Sequence, residues 1–255
     1  AADRCREAIG RARSARALRR LNASLEERVA ERTAELREAI HELEGFNYSV
    51  AHDLRAPLRN IAGQVNMTAE DYGPEMPAGA MANLRAIERS AKSLGRLVDD
   101  LLEFSRLGRR EARRSPVDLT DLARRVAAAL PTELRDRGEV RVADGLVAMG
   151  DRELLAMVLE NLLGNALKYS RPDAPNLVEV MGDGHEFLIR DRGIGFEPEF
   201  AERIFLPFER LHRSEIPGTG IGLANVRRIV EKHRGRVWAE GHPGTGSVFH
   251  FTLGE

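Results

Sequence analysis

One of the seven histidines has neighbours that suit chemistry. His52 is followed directly by Asp53, and Pro57 comes five residues later. A neutral imidazole is a competent nucleophile near its usual pKa of about 6.5, and an adjacent carboxylate can orient it or accept its proton. We therefore interpret the pair as a candidate nucleophile with its acid–base partner, with a bystander histidine as the alternative.

Two glycine-rich segments have the composition of ligand-binding loops. DRGIGF (191–196) follows an apolar run, and PGTGIGLA (217–224) precedes an amphipathic one. Glycine lets the backbone approach a ligand closely, and a helix N-terminus behind such a loop offers N–H groups to phosphate. The second segment lacks the Lys-Ser/Thr pair of a P-loop, and the later strands do not follow a dinucleotide-binding pattern. For either segment alone, an ordinary capped turn is the alternative.

A predicted helix over 152–169 carries polar residues beside its leucines. Asn161, Asn165 and Lys168 are spaced four and three apart and share one helix face, and Glu160 precedes them. Mg²⁺ favours oxygen ligands such as an amide together with phosphates, and a lysine neutralises phosphate charge. Because asparagine is a poor helix former, this face suggests a function more than it suggests a solvated surface.

The composition restricts the classes of protein. With 39 Lys+Arg against 40 Asp+Glu, the net charge of −1 argues against a nucleic-acid partner. The single cysteine, Cys5, excludes a disulfide scaffold and fits a reducing compartment. No apolar run approaches the ~20 residues of a membrane span, and the first residues do not resemble a signal peptide. We expect a cytoplasmic chain, or the cytoplasmic part of a membrane-anchored receptor.

The predicted order of domains begins with helices. A coiled coil is expected over 1–45, where apolar residues recur at spacings of three and four from Leu18 to Leu43 and require a partner helix. Two helices over 46–108, separated by GPEMPAG (73–79), predict an antiparallel hairpin, and two such hairpins form a four-helix bundle in a dimer. We expect the first helix to continue through Pro57 to Tyr72, with that turn kinked or loosened because the proline removes the hydrogen bond to the carbonyl of Asp53.

The remainder predicts a linker at 109–115 and an α/β sandwich at 116–255, with helices on one face of a mostly antiparallel sheet. Strands are expected near 117–119, 140–143, 147–149, 177–181, 186–190, 236–240 and 247–253, and helices near 120–130, 152–169 and 221–234.

Taken together, these motifs resemble those of bacterial sensor histidine kinases. FNYSVAHDLRAPL (46–58) resembles the phospho-acceptor box, and ENLLGNALKYS (160–170) the asparagine box. DRGIGF and PGTGIGLA resemble the two glycine boxes, and IFLPFERLHR (204–213) is similar to the phenylalanine box. The five motifs occur in the family's order across 46–255. FERLH with PGTGIGL also resembles the kinases of phytochrome-type receptors, and 25–46 is similar to their signalling helices.

The resemblance implies a role for each matching residue. His52 would be phosphorylated, with Asp53 as its acid–base partner. Asn165 would bind Mg²⁺, supported by Glu160, and Asp191 would accept a hydrogen bond from the adenine amine. The other ATP-binding residues would be Asn161, Lys168, Tyr169, Gly193, Gly195, Phe208, Arg213, Gly218, Thr219, Gly220, Gly222 and Leu223.

The implied activity is that of a protein-histidine kinase. ATP with Mg²⁺ would phosphorylate His52, and the phosphoryl group would pass to an aspartate of a response regulator. The implied partners are a second copy of the chain, that regulator's receiver domain and an upstream sensor domain. The alternatives are a chaperone-like or topoisomerase-like ATPase of the same fold, or a nucleotide-sensing scaffold without catalysis. One position departs from the pattern: Ala56 stands where many members have Thr or Asn, which predicts weak phosphatase activity.

Overall fold

The computed structural model describes residues 2–110, 112–171, 176–211, 216 and 218–254, with every side chain except those of 2–23, 36, 37, 40, 41, 44, 46, 47 and 109. By its internal contacts the chain divides into two units, Ala1–Ser49 and Val50–Glu255. Among the described residues, no helix combines the length and the apolar character needed to cross a membrane.

The first unit consists of helix α1, which runs from Ala2 to Tyr72 and so continues into the second unit. Leu25, Val29 and Leu43 are more than half exposed in the single chain. The side chains of four other positions of the predicted stripe, Leu18, Leu21, Leu36 and Ile40, lie outside the described set. The coiled-coil pairing therefore stays a prediction.

The second unit opens with the predicted helical hairpin. The end of α1, a 3₁₀ turn at Gly73–Glu75 and helix α2 (Ala78–Arg109) follow one another. The two helices are joined by a buried cluster of Ala51, Val98 and Leu102, against which Leu58 and Leu101 pack. Arg55 also forms an ion pair with Asp99 across the hairpin. The hairpin confirms this part of the predicted fold.

The first helix of the hairpin continues through Pro57, as predicted, and the kink at that turn stays a prediction. Helix α1 contains Pro57 and continues for fifteen residues beyond it, to Tyr72. A proline removes one backbone hydrogen bond, here the one to the carbonyl of Asp53. Its exposed position shows that the helix tolerates the ring on its solvent side.

The sandwich is built on a five-stranded sheet of order β2-β4-β5-β7-β6. Its strands are β2 (Gly138–Val142), β4 (Asn176–Gly182), β5 (Glu186–Arg190), β6 (Val237–His242) and β7 (Gly246–Thr252). A separate antiparallel pair joins β1 (Ser115–Asp118) to β3 (Val147–Gly150). The helices are α3 (Leu119–Ala129), α4 (Thr132–Arg135), α5 (Arg152–Lys168) and α6 (Gly222–Lys232). This architecture confirms the predicted α/β sandwich.

Most strand pairs are antiparallel, as predicted, but β2 and β4 pair in parallel. A parallel pair needs a long crossover, usually one that contains a helix. Here the connection between β2 and β4 contains α5, so this pairing also places α5 against the sheet. Helix α4 was not predicted.

The core of the sandwich explains why α5 can present a polar face. Its leucines 154, 155, 159, 162, 163 and 167 are almost completely buried. Asp151 caps the start of the helix by accepting hydrogen bonds from the backbone N–H groups of Glu153 and Leu154. With this stripe fixed in the core, Asn161 and Asn165 lie at its edge and are partly exposed.

Candidate functional site

A cavity of about 240 Å³ gathers most of the predicted ligand-binding residues. Those that line it are Asn161, Asn165, Lys168, Tyr169, Asp191, Gly195, Gly218, Thr219, Gly220, Gly222 and Leu223. They come from α5, from the segment after β5, and from the segment that leads into α6. Three predicted residues, Glu160, Gly193 and Phe208, are described but are not among the lining residues. Arg213 lies outside the described residues.

Asp191 is a buried carboxylate that lines the cavity. It follows β5, and its backbone N–H donates to the carbonyl of Ser247 at 2.9 Å. Its Oδ1 accepts a hydrogen bond from the N–H of Gly193 at 2.8 Å. Burial raises the pKa of Asp191 to about 6, although the hydrogen bonds from Gly193 and Ser247 oppose this shift. Only glycine fits at 193, because a Cβ there would lie 2.3 Å from the carbonyl oxygen of Tyr169.

The two asparagines of α5 differ in their hydrogen bonds. The Asn161 Nδ2 donates to the carbonyl of Met157 at 2.9 Å. Its Oδ1 faces the start of α6, where a Cβ on Gly222 would lie 2.3 Å away. The Asn165 amide lines the cavity and has no hydrogen-bond partner among the described residues. Asn161 therefore packs against the loop, whereas the oxygen of Asn165 is available to a ligand.

Lys168 places a positive charge in the wall of the cavity. Its Nζ lies 2.6 Å from the position that a Cβ on Gly218 would occupy, and 5.0 Å from the ring centroid of Tyr169. Burial, together with the positive charges of Arg210 and Arg96, lowers the pKa of Lys168 to about 8. Nearby, α6 begins at Gly222 with no capping side chain among the described residues. Its first N–H groups and its dipole favour an anion here.

The segment around the phenylalanine box closes this side of the cavity. Phe205 is buried and meets Phe249 edge-on, with ring centroids 6.4 Å apart. Phe208 has an exposed side chain and a φ of 67°. Its N–H donates to the carbonyl of Gly220 at 3.0 Å. Phe205 thus anchors the segment through its side chain, and Phe208 does so through its backbone.

The predicted nucleophile lies on the hairpin and is not among the residues of the cavity wall. The Nδ1 of His52 is 3.3 Å from the Oδ1 of Asp53, and the His52 side chain is 66% exposed. Ala56, one turn further along α1, is also exposed. The imidazole is therefore accessible from outside the single chain.

Several residues of the cavity wall were not predicted: Asp100, Phe196, Ile204, Glu209, Arg210, Leu211, Ser247 and Phe249. Most of them lie within or beside the recognised motifs or on the strand that pairs with β5. Asp100 is different, because it belongs to α2 of the hairpin and to no motif. In the sequence it is one more charged residue on a helix.

Comparison with known families separates the alternatives. Residues 150–255 match the family described as histidine kinase-, DNA gyrase B- and HSP90-like ATPases. That match alone leaves several kinds of ATPase open. Residues 42–110 match the His Kinase A (phospho-acceptor) domain.

The chain belongs to the sensor histidine kinases. It contains the phospho-acceptor domain and the ATP-binding ATPase domain of a histidine kinase, in the predicted order. A phospho-acceptor domain of this kind implies that the kinase is a homodimer.

Named relatives agree with this assignment. The kinase is 32% identical to the phytochrome-like protein Cph1 of Synechocystis sp., over 94% of this chain and 33% of that protein. It is 36% identical to cyanobacterial phytochrome B of Nostoc sp., over 88% of this chain and 31% of that protein. It is 35% identical to the methanogenesis regulatory histidine kinase FilI of Methanothrix harundinacea, over 95% of this chain and 28% of that protein. The chain thus spans about a third of the length of these relatives.

Solved structures resemble the kinase as well. Full-length ShkA, in complex with AMPPNP, matches with a TM-score of 0.62 and 27% identity, over 82% of this chain and 45% of that one. The Acinetobacter baumannii histidine kinase AdeS matches with a TM-score of 0.54 and 22% identity, over 79% and 96%, and supports the fold alone.

Proposed function

We propose that the kinase transfers the γ-phosphoryl group of ATP to His52, and that this group then passes to an aspartate of a response regulator. One observation carries the proposal: the same chain combines an exposed His52–Asp53 pair with a cavity whose wall contains both an acceptor, Asp191, and a cation, Lys168. We also propose that the kinase is cytoplasmic, as its composition favours, and that a sensor domain lies upstream of it.

The polar groups of the cavity suit the two ends of ATP. Asp191 is buried and offers a charged oxygen to the exocyclic amine of adenine, a donor that guanine lacks at the corresponding position. Lys168 and the uncapped start of α6 supply positive charge for the phosphates. The solved complex of ShkA with AMPPNP, an ATP analogue, supports a nucleotide in this fold.

A magnesium ion fits the donors in this cavity. The described residues contain no group of three or more His, Cys, Asp or Glu that could hold a metal by themselves. Mg²⁺, however, is commonly held by one or two protein oxygens together with phosphates and waters. The free amide oxygen of Asn165 would hold it, and the ion would neutralise charge that develops on the phosphates. Glu160 is not among the residues that line the cavity, so no direct contact supports its predicted role at the metal ion.

The chemistry at His52 follows from its contact with Asp53. With Nδ1–H donating to Asp53, the lone pair on Nε2 is free to attack. The Nε2–phosphorus bond forms as the bond from phosphorus to the β–γ bridging oxygen breaks, and ADP leaves. Asp53 stabilises the positive charge on the ring and can accept the Nδ1 proton. Transfer to a regulator reverses these roles: a carboxylate oxygen bonds to phosphorus, and the imidazole leaves.

Labelling of the chain tests this proposal. After incubation with γ-³²P-ATP and Mg²⁺, we expect label on the protein that is lost in acid and retained in base, as a phosphohistidine requires. Label that survives acid would indicate a hydroxyl acceptor, and absence of label would favour the scaffold without catalysis.

Titration of Asp191 predicts a pH dependence of nucleotide binding. A donor from adenine favours the charged carboxylate, so affinity is highest above pH 6 and falls as the pH drops through the pKa of about 6. Because one proton is involved, the affinity can fall at most about tenfold for each unit by which the pH drops. Loss of the Lys168 charge weakens phosphate binding above its pKa of about 8. We expect Asp191→Asn to lower ADP affinity about 10- to 150-fold near neutral pH, the equivalent of ~1.5–3 kcal/mol for a charged hydrogen bond.

Calorimetric titrations with ADP at several pH values measure this dependence. The ratio of wild-type to Asp191→Asn affinity isolates the carboxylate, since titration of the ligand's own phosphates is common to both proteins. Glu199→Gln changes an exposed carboxylate and provides the control. A ratio that does not change between pH 5 and 7 would contradict the proposed contact.

Ala56 predicts that the kinase dephosphorylates its regulator slowly. Residue 56 lies one helical turn from His52 on roughly the same face, so it neighbours any phospho-aspartate docked at the imidazole. Hydrolysis needs a water held in line with phosphorus, and a methyl group cannot hold one. We expect Ala56→Thr or Ala56→Asn to speed the decay of phospho-regulator by up to about a hundredfold, the cost of a small misplacement of a reacting group. The control is Ala82→Thr, which changes an exposed alanine of α2. Equal decay rates for all the variants would show that residue 56 does not affect dephosphorylation.

A further inference from the structure

Helix α6 of the ATPase domain lies along the C-terminal part of α2. Asn225 Nδ2 donates to Glu103 Oε2 at 3.3 Å, and Arg228 Nη1 donates to the carbonyl of Phe104 at 2.8 Å. Lys232 Nζ donates to the carbonyl of Gly108 at 3.0 Å. The three residues of α6 are spaced three and four apart and form one face. The hairpin and the ATPase domain are therefore docked in this structure through polar contacts.

At the cavity end of this interface, the hairpin contributes a charge to the nucleotide site. The hydroxyl of Thr219 donates a hydrogen bond to the carboxylate of Asp100, and both residues line the cavity. Gly218, the neighbour of Thr219, lies against the ammonium of Lys168. The carboxylate of Asp100 is thus an anion beside the segment at which the phosphates of ATP are proposed to bind.

The preceding residue of α2 has the same charge but a different direction. Asp99 Oδ1 accepts hydrogen bonds from Arg55, at 2.9 Å from Nε and 2.5 Å from Nη2. The side chains of neighbouring residues in a helix point about 100° apart. The Asp99 carboxylate therefore pairs with Arg55 within the hairpin, whereas the Asp100 carboxylate faces the cavity. The two aspartates form a matched pair for experiment.

We propose that Asp100 couples nucleotide binding to docking of the hairpin, an inference that rests on the proposed binding of ATP in this cavity. The negative phosphates repel the Asp100 carboxylate and compete with it for the Thr219 loop. Nucleotide therefore weakens the docked state, and the docked state weakens nucleotide binding by the same factor, because coupling between two sites is reciprocal. The effect grows with the number of phosphates, so Asp100 also sets the preference between ATP and ADP.

Nucleotide affinities of the full chain provide the first test. For Asp100→Asn we expect AMPPNP to bind about tenfold tighter than to wild type, within the usual range of coupling between sites. The gain for ADP should be smaller, and adenosine should bind equally to both. Asp99→Asn should match wild type for all three ligands, and Asp100→Ala should follow Asp100→Asn. The gains should also shrink at high salt, since they arise from charge.

Cross-linking provides a second test that reads docking itself. In a Cys5→Ser background, Glu103→Cys with Asn225→Cys places two thiols at a contact between α2 and α6. We expect AMPPNP to slow disulfide formation in this protein. With Asp100→Asn added, we expect AMPPNP to have no effect on that rate.

The outcomes separate the inference from the proposed function. Equal AMPPNP affinities for wild type and Asp100→Asn would overturn the coupling while leaving ATP binding intact. Weaker binding to Asp100→Asn would also overturn it, and would indicate that the carboxylate supports the nucleotide. Failure of the wild-type chain to bind any nucleotide would overturn the proposed function, and the inference with it.

Discussion

Replacing His52 by glutamine is expected to abolish phosphorylation of the chain. Glutamine has a similar size and no ring nitrogen that can attack phosphorus, so labelling from γ-³²P-ATP should fall to background. The His52 side chain is 66% exposed, and its only hydrogen-bond or ion-pair partner among the described residues is Asp53, so the fold should not change. Nucleotide binding should remain at wild-type affinity, because His52 is not among the residues that line the cavity.

The control for this experiment is another exposed histidine. His185 lies in the turn between β4 and β5, and His185→Gln should leave labelling unchanged. Light scattering should report the same oligomeric state for both variants. Acid-labile label on His52→Gln at the wild-type level would contradict the assignment of the nucleophile.

The second large effect is expected at Asn165. Asn165→Ala should lower the Mg²⁺-dependent rate of phosphorylation on the order of a hundredfold or more, since a metal ion at a phosphoryl group contributes several kcal/mol of charge stabilisation. The amide makes no hydrogen bond to the described residues, so its loss should not change the melting temperature. Initial rates of labelling across a range of Mg²⁺ concentrations measure the effect.

Asn165→Asp is the matched variant, because it keeps an oxygen at the same position. We expect it to retain much more activity than Asn165→Ala and to shift the Mg²⁺ dependence. An unchanged Mg²⁺ dependence in Asn165→Ala would show that the metal is held elsewhere.

Local signals in the sequence were sufficient for most elements of the fold and for much of the cavity. The predicted helix near 152–169 is found at Arg152–Lys168, because its leucines fill a core and its asparagines cannot. The strand predicted near 186–190 is found at Glu186–Arg190. The glycine-rich segments meet at the cavity because glycine permits close backbone contacts such as that of Gly193 with Tyr169.

Other features depend on distant contacts and leave no local pattern. The parallel pairing of β2 with β4 follows from the crossover that contains α5, not from the residues of either strand. Helix α4 has only four residues, too few for a period to appear. Asp100 faces the cavity only because α6 docks on α2, and in the sequence it cannot be distinguished from Asp99.

The contacts of Lys232 have a consequence for the connection between the two domains. Its ammonium donates to the carbonyls of Gly108 and Arg110, at the end of α2. The last carbonyls of a helix lack partners of their own, and a cation there is favourable. Lys232 of the ATPase domain therefore supplies a hydrogen-bond donor to the carbonyls at the C-terminus of α2. When the two separate, the last turn of α2 loses these partners and is free to unwind. Each residue that leaves the helix then spans up to about 3.3 Å instead of about 1.5 Å. The connection is thus a tether that is short while the domains are docked and longer once they part, when the nucleotide has to travel to a histidine.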